Sequence, residues 1–332
     1  MTMARFLLRR GVGLIAVLLV MSLIVFVLQS VVPSDPARAL AGPNAPIAVI
    51  EDLREKLGLN DPVLVQYGDY LWRMVQGDLG TSVRTRQPVG ADILTYAPAS
   101  LELMLTALLL GTILGTGVAV VQQLARRAGG LRAVLLALGS VPIFLSALLL
   151  VWLFWFQLDW LPGSGRIGIR RFQGPTGFMV LDGLLLGRWD VVSSAVRHLA
   201  LPALTLAIPI AVALARSISS ALGTTMQQPY IRMVRGKGLT EASILWRHAA
   251  RNSAAGPLAM IGLQVGLLFA NLLIVERIFA WPGLGLYTVQ AFASSDLPAV
   301  LGVSLAFGAF YIAVNILIDL VQAALDPRVR LN

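Results

Sequence analysis

Two glycine-rich stretches are the first places in this chain where chemistry could reside. Gly163-Ser164-Gly165-Arg166-Ile167-Gly168 has the spacing G-x-G-x-x-G. That spacing cradles a dinucleotide when a strand precedes it and a helix opens on its glycines. Here an apolar run precedes it and a basic loop follows, which disfavours a dinucleotide site. Arg235-Gly236-Lys237-Gly238 resembles a fragment of a phosphate loop, but the G-x-x-x-x-G-K-[ST] spacing is absent, and Lys237 and Lys56 are the only lysines. ATP is therefore not expected to bind this chain through such a loop, and the chain is not expected to be an enzyme. His198 and His248 stand far apart, and there is no cysteine. Neither a metal centre nor a thiolate site is expected, and no cofactor is assigned to the chain. No serine has a histidine at a spacing that would build a hydrolase.

The elements that hold these residues are mostly apolar. The 332 residues are 57% hydrophobic and only 13% charged, with a formal net charge of +9, the composition of a membrane protein. The cations are scattered between apolar runs rather than gathered with aromatics on one soluble face, so nucleic acid is not a partner. Hydropathy predicts six spans at about 11–32, 98–121, 131–157, 199–222, 257–279 and 298–324. The first is read as a retained span, because it is too long for the apolar core of a cleaved signal. Residues 33–97 form an excursion in which Asn44 and Asp61 are expected to cap two short helices, with Pro62 at the first position of the second and Gly77 past its end. Residues 158–198 form a second loop on the same side.

Arg5, Arg9, Arg10, Arg126, Arg127, Arg132, Arg232, Arg235, Lys237, Arg247, Arg251, Arg328 and Arg330 fall on the other side, opposed there by Glu241 and Asp326. By the positive-inside rule that side is cytoplasmic, with both termini on it. Trp152, Trp155 and Trp160 then lie where an outer aromatic belt is expected. No internal repeat is evident.

Ionisable groups within spans discriminate among transport mechanisms. Glu102, Glu276 and Arg277 fall near outer ends, and Arg216 and Asp319 near inner ends. None is near the midplane, so a carrier driven by protons or sodium is disfavoured. The spans offer small and mildly polar residues instead. Thr106, Ser140, Ser146, Gln264 and Asn271 are candidate pore-lining positions, although such residues also knit spans together.

The most informative stretch is the polar, basic interruption Gln227 to Pro257, the core of a loop at 223–256. Pro229 opens a short helix, Gly236 and Gly238 end it, and Thr240 caps a second helix that starts at Glu241. Tyr230, Met233 and Val234 share one face of the first; Ile244, Leu245 and His248 share a face of the second. A helix-turn-helix elbow with apolar faces and flanking cations is expected to be a docking surface for another protein, with a solvated connector as the other reading.

With these features in order, the chain resembles the B-type permease subunit of the dipeptide/oligopeptide/nickel class of ABC importers. The likeness runs nearly end to end. It is carried by Pro33-Ser34-Asp35-Pro36, Leu57-Gly58-Leu59-Asn60-Asp61-Pro62, Gly77-Asp78-Leu79-Gly80-Thr81-Ser82, Arg197-His198-Leu199, Leu201-Pro202-Ala203-Leu204, Tyr230-Ile231-Arg232, Gly236-Lys237-Gly238-Leu239, Arg247-His248-Ala249, Phe279-Ala280-Trp281-Pro282-Gly283-Leu284-Gly285 and Leu325-Asp326-Pro327-Arg328. The family's cytoplasmic signature maps onto Arg232-Met233-Val234 and Gly238, with Met233 and Val234 where alanines are usual. The resemblance implies an all-α polytopic membrane protein of the type I importer class, in a prokaryotic inner membrane. Its partners would be a second related permease, two cytoplasmic ATPase subunits that bind ATP and magnesium, and an extracytoplasmic binding protein. The elbow would be the coupling helix, meeting an ATPase through Tyr230, Arg232, Met233, Arg235, Lys237, Gly238, Glu241 and Ile244. The alternatives are a self-sufficient ion-coupled carrier or channel, and a membrane anchor that only assembles partners.

Overall fold

A computed structural model describes residues 3–31, 36–42, 45–56, 58–124 and 129–325. In chain order the helices are α1 (Met3–Val31), α2 (Pro36–Ala41), α3 (Ile47–Lys56), α4 (Val63–Val75), α5 (Val89–Leu124), α6 (Gly129–Ser140), α7 (Ile143–Val151), α8 (Met179–Leu185), α9 (Trp189–Met226), α10 (Pro229–Gly236), α11 (Glu241–Ile244), α12 (Ala255–Ile278), α13 (Leu284–Ala293) and α14 (Leu297–Leu325). There is no β-strand among the described residues. The chain divides into two units, one of residues 98–285 and 313–332 with Met1, the other of residues 2–97 and 286–312.

Among the described residues, four helices are long and apolar enough to cross a membrane: Val89–Leu124, Trp189–Met226, Ala255–Ile278 and Leu297–Val321. Their positions match the second, fourth, fifth and sixth expected spans, with different ends. The second begins at Val89 rather than Pro98, because α5 continues through that proline. Pro98 has no N–H, so the carbonyl of Leu94 loses its helical donor while the chain remains helical. The expected third span at 131–157 is not one helix. It breaks between α6 and α7 at Val141-Pro142, where Pro142 is extended (φ −58°, ψ 143°). A proline disfavours helical geometry in the residue before it and cannot donate back along the helix. After α7 the chain widens into a π-helical turn, Trp152–Gln157. A further apolar helix, α13, lies between the fifth and sixth expected spans.

In the unit of residues 98–285 and 313–332, α9 is the central element. It packs against α6, α7, α8 and α12. Small residues set the approach of α5: a Cβ on Gly111 would come within 2.7 Å of Ile210, and one on Gly115 within 2.8 Å of the Ala211 carbonyl. Close-packed membrane helices require this absence of side chain. Similarly, a Cβ on Gly262 would come within 2.9 Å of Asn315 Oδ1 in α14.

In the unit of residues 2–97 and 286–312, Tyr67 of α4 meets Ser22 of α1 (Oη to Oγ 3.0 Å), and its ring lies tilted against Phe26 with centroids 5.1 Å apart. Helix α4 begins at Val63, with Pro62 extended in the cap position and no side-chain cap. This moves the start one residue from the expected Pro62. The Asp61 carbonyl instead accepts from Gln66 Nε2 at 2.8 Å. Gly77 ends the helix with φ +83°, as its position past the apolar face suggests. Asn44 lies outside the described residues. The Gly77–Ser82 motif leads into a short bridge between Thr81 and Pro88. Asp296 pins that loop by accepting from Ser82 Oγ at 2.5 Å and Arg84 N at 3.1 Å. Asp92 accepts from Tyr287 Oη at 2.8 Å.

Candidate functional site

The elbow is built on the end of α9. Ile231 from α10, and Ile244, Leu245 and Ala249 from the second half, are buried with Leu222 and Met226 of α9, and Val120, Ile218, Tyr230 and Val234 pack around them. Burial of this apolar set fixes the elbow to the helix that carries it. Pro229 opens α10, as expected. Gly238 adopts φ +79° with open space where a Cβ would be, so the turn requires glycine for its backbone rather than for room. Thr240 Oγ1 caps α11 by accepting from Ser243 N at 3.4 Å. The helix then widens into a π-helical turn, Leu245–Ala249, and a 3₁₀ turn, Arg251–Ser253. Across the elbow, Asn252 Nδ2 donates to Tyr230 Oη at 2.9 Å and to the His248 carbonyl at 3.2 Å.

Three of the expected docking residues, Ile244, Arg235 and Glu241, are committed internally. Ile244 has no exposed surface and holds the two halves together, which corrects its reading as a residue that fills a partner's hollow. Arg235 is paired across the Gly238 turn with Glu241, Nε to Oε1 at 2.5 Å and Nη2 to Oε2 at 3.0 Å. The hydrogen bond from Arg235 holds the Glu241 carboxyl below the usual glutamate range. Tyr230 is half-buried. The surface that remains carries Arg232, Met233, Lys237 and Gly238, joined by Trp246 and Arg247. Met233 is 66% exposed and Trp246 59%.

Trp246 was missed by sequence reasoning. The signal was available: at 100° per residue it falls on the opposite side from the inward pair Ile244 and Leu245. Two large apolar side chains exposed among cations have the composition of an interface centre.

The candidate pore residues are carried by four helices. Thr106 is half-buried on α5, Ser146 is half-buried on α7, and Ser140 is exposed at the end of α6. Gln264 is buried on α12, its Nε2 3.8 Å from Met260 Sδ, and Asn271 is half-buried two turns further along the same face. A cavity of about 600 Å³ lies instead between α9 and α12, lined by Ala213, Arg216, Ser217, Ser220, Ala221, Gly256 and Met260.

The acidic residues near the far end of the spans are structural. Glu102 is buried and accepts from Arg166, at 2.5 Å from Nη2 and 3.2 Å from Nε, and from Val180 N at 2.9 Å. Arg166 also donates to the Gly177 carbonyl at 2.6 Å and lies 5.7 Å from the Trp281 ring centre. The G-x-G-x-x-G stretch thus serves to seat Arg166, and Gly163 makes room for the Trp155 ring, 2.6 Å from where its Cβ would be. Glu276 Oε1 accepts from Ser100 Oγ at 2.6 Å, and Ser100 accepts from Leu284 N at 2.7 Å. A Cβ on Gly283 would lie 2.2 Å from Glu276 Oε1, so the Phe279–Gly285 motif wraps a carboxylate that only glycine admits.

An all-helical membrane chain with a polar elbow stiffly mounted between two long apolar helices is a transport permease in class. Residues 107–331 match the family described as "Binding-protein-dependent transport system inner membrane component", and residues 3–104 match the N-terminal component of the same systems. The chain belongs to this family, as a B-type permease of the ABC importer class. It is similar to a di/tripeptide transport system permease protein of Pseudomonas aeruginosa, 38% identical over 99% of each chain. It is also similar to a dipeptide transport system permease protein of Alkalihalophilus pseudofirmus, 34% identical over 99% of this chain and all of the relative. A glutathione transport system permease protein of Salmonella typhimurium is 31% identical over 99% of each chain.

Proposed function

We propose that this chain is the transmembrane permease subunit of an ATP-driven importer of short peptides, forming half of the translocation path and receiving force through its elbow. The full-length likeness to permeases named for dipeptides and tripeptides supports the substrate class. The single observation that carries the coupling role is the exposure of Met233 and Trp246 among cations on an elbow whose inner face is fully packed. Such a surface can seat in a partner's groove and pass displacement to α9 and α12 without bending.

The chain crosses the inner membrane six times, with α1, α5, the broken α6–α7 segment, α9, α12 and α14 as the spans, and both termini and the elbow in the cytoplasm. Its partners are a second related permease, two cytoplasmic ATPases that bind ATP and magnesium, and an extracytoplasmic binding protein. ATP-driven closure of the ATPases favours one state of the path because the elbow makes different contacts in each.

The test is reconstitution in proteoliposomes. The full assembly is expected to accumulate a labelled dipeptide only with ATP, and this chain alone to accumulate none. Gly238→Asn, which tolerates the left-handed turn, should retain uptake, whereas Gly238→Val should cost about 1–2 kcal/mol in the turn and lower uptake. Ion-driven uptake by the chain alone would overturn the reading.

A further inference from the structure

The α9–α12 cavity holds a charge that the fold does not use. Arg216 projects from an apolar membrane helix ten residues before its end, and among the described residues no hydrogen bond or ion pair engages its guanidinium. Its side chain is exposed, so the guanidinium is open to an anion that enters the cavity. Gly139 of α6 lies beside it: a Cβ there would be 2.8 Å from Val212 Cγ1 and 3.4 Å from Arg216 Nη2. Ser217 and Ser220 add two hydroxyls to the lining. Ala213, Ala221 and Gly256 keep the cavity open, and nothing lies within 4 Å of where a Gly256 Cβ would be. Met260 supplies an adaptable apolar wall. No carboxylate lines the cavity, so its field is of one sign. Its volume, about 600 Å³, lies within the range of small-molecule sites.

We propose that this cavity is a station on the substrate's path, where Arg216 receives the carboxylate of the carried solute and Ser217 and Ser220 complete its hydrogen bonds. The proposal rests on the reading of the chain as a peptide permease. A carboxylate presents two coplanar oxygens that match the guanidinium fork. A peptide's ammonium end finds no acid in the lining, so the cavity recognises the carboxyl end and leaves the amine directed to the open side. Serine hydroxyls add acceptor-oriented donors without adding charge, which allows binding weak enough for release.

The experiment compares ATP-driven uptake of one dipeptide as its free acid and as its C-terminal amide, using the full assembly in proteoliposomes with wild type, Arg216→Gln, Arg216→Lys and Ser220→Ala. Co-purification of the subunits checks that each variant assembles. Arg216→Gln is expected to lower uptake of the acid about tenfold, the effect of losing one charge-assisted contact, and to bring the acid-to-amide ratio close to that of an uncharged site. Arg216→Lys should fall between, and Ser220→Ala should show a smaller loss confined to the acid. An unchanged ratio in an assembled Arg216→Gln transporter overturns the proposal. So does loss of a co-purifying phospholipid, seen by native mass spectrometry, with uptake intact, because Arg216 would then be serving a lipid phosphate. If wild type shows no ATP-driven uptake of either form, the permease reading itself fails, an outcome separate from these two.

Discussion

Trp246 and Ile244 sit two residues apart and face opposite fates. Ile244 lies wholly inside the elbow, so Ile244→Ala should destabilise it by about 2–5 kcal/mol through lost burial and a residual cavity. Trp246 is largely exposed, so Trp246→Ala should leave thermal stability nearly unchanged while weakening capture of the ATPase by about thirtyfold or more, the size of an interface hot spot. Melting temperature and co-purification, measured on both variants, separate the two roles. Equal effects on both readouts would remove the docking assignment. Glu241 adds a pH dependence. Its folded-state pKa is held below the usual value by the hydrogen bond from Arg235, so its contribution to stability is present above the ordinary glutamate range and is lost as pH falls through the depressed value. Protection factors of elbow amides, taken relative to the intrinsic exchange rate at each pH, should therefore fall on acidification in wild type, and Glu241→Gln should flatten that response.

At the scale of elements, what could be read in the sequence was what local chemistry dictates. Pro229, Gly238 and Thr240 each act through their own backbone geometry, so the elbow's start, turn and second cap were legible residue by residue. The apolar runs placed the long helices because hydropathy is a sum over a window. Partners distant in sequence were not legible: nothing near Glu102 indicates that Arg166 will neutralise it, and nothing near Ser82 indicates Asp296. The break at Pro142 was overridden by hydropathy, since a proline between apolar runs changes the helix path and barely alters the window average. The buried Glu102–Arg166 pair gives an element-level prediction. Replacing either partner alone, as in Glu102→Gln or Arg166→Leu, should cost about 3–5 kcal/mol because a buried charge is left behind. Thermal denaturation of the double variant should recover part of that loss, and strict additivity would show the pair to be uncoupled.

For the whole molecule, orientation is the property on which every functional statement depends. The chain has no cysteine, so single cysteines can be introduced without background. A thiol at position 246 should react with an impermeant reagent only from the cytoplasmic side, and one at position 160 only from the opposite side. Labelling of both from one side would dismantle the proposed six-span arrangement, and an exchange of the two sides would invert it. The all-helical membrane class followed from composition and the family from ordered motifs, whereas the cavity around Arg216 emerged only when α9 and α12 were brought together.

Helix α9 runs unbroken from Arg216 to Met226, about 15 Å at the rise of an α-helix, and the first helix of the elbow begins three residues later, at Pro229. The guanidinium and the docking surface are therefore mounted on the same shaft. A rotation of that shaft by about 20° would swing a side chain reaching some 7 Å from the axis through roughly 2.4 Å, enough to break a hydrogen bond. Cargo release and nucleotide turnover would then keep a fixed phase, like two marks on one axle, with no relay of residues required between them.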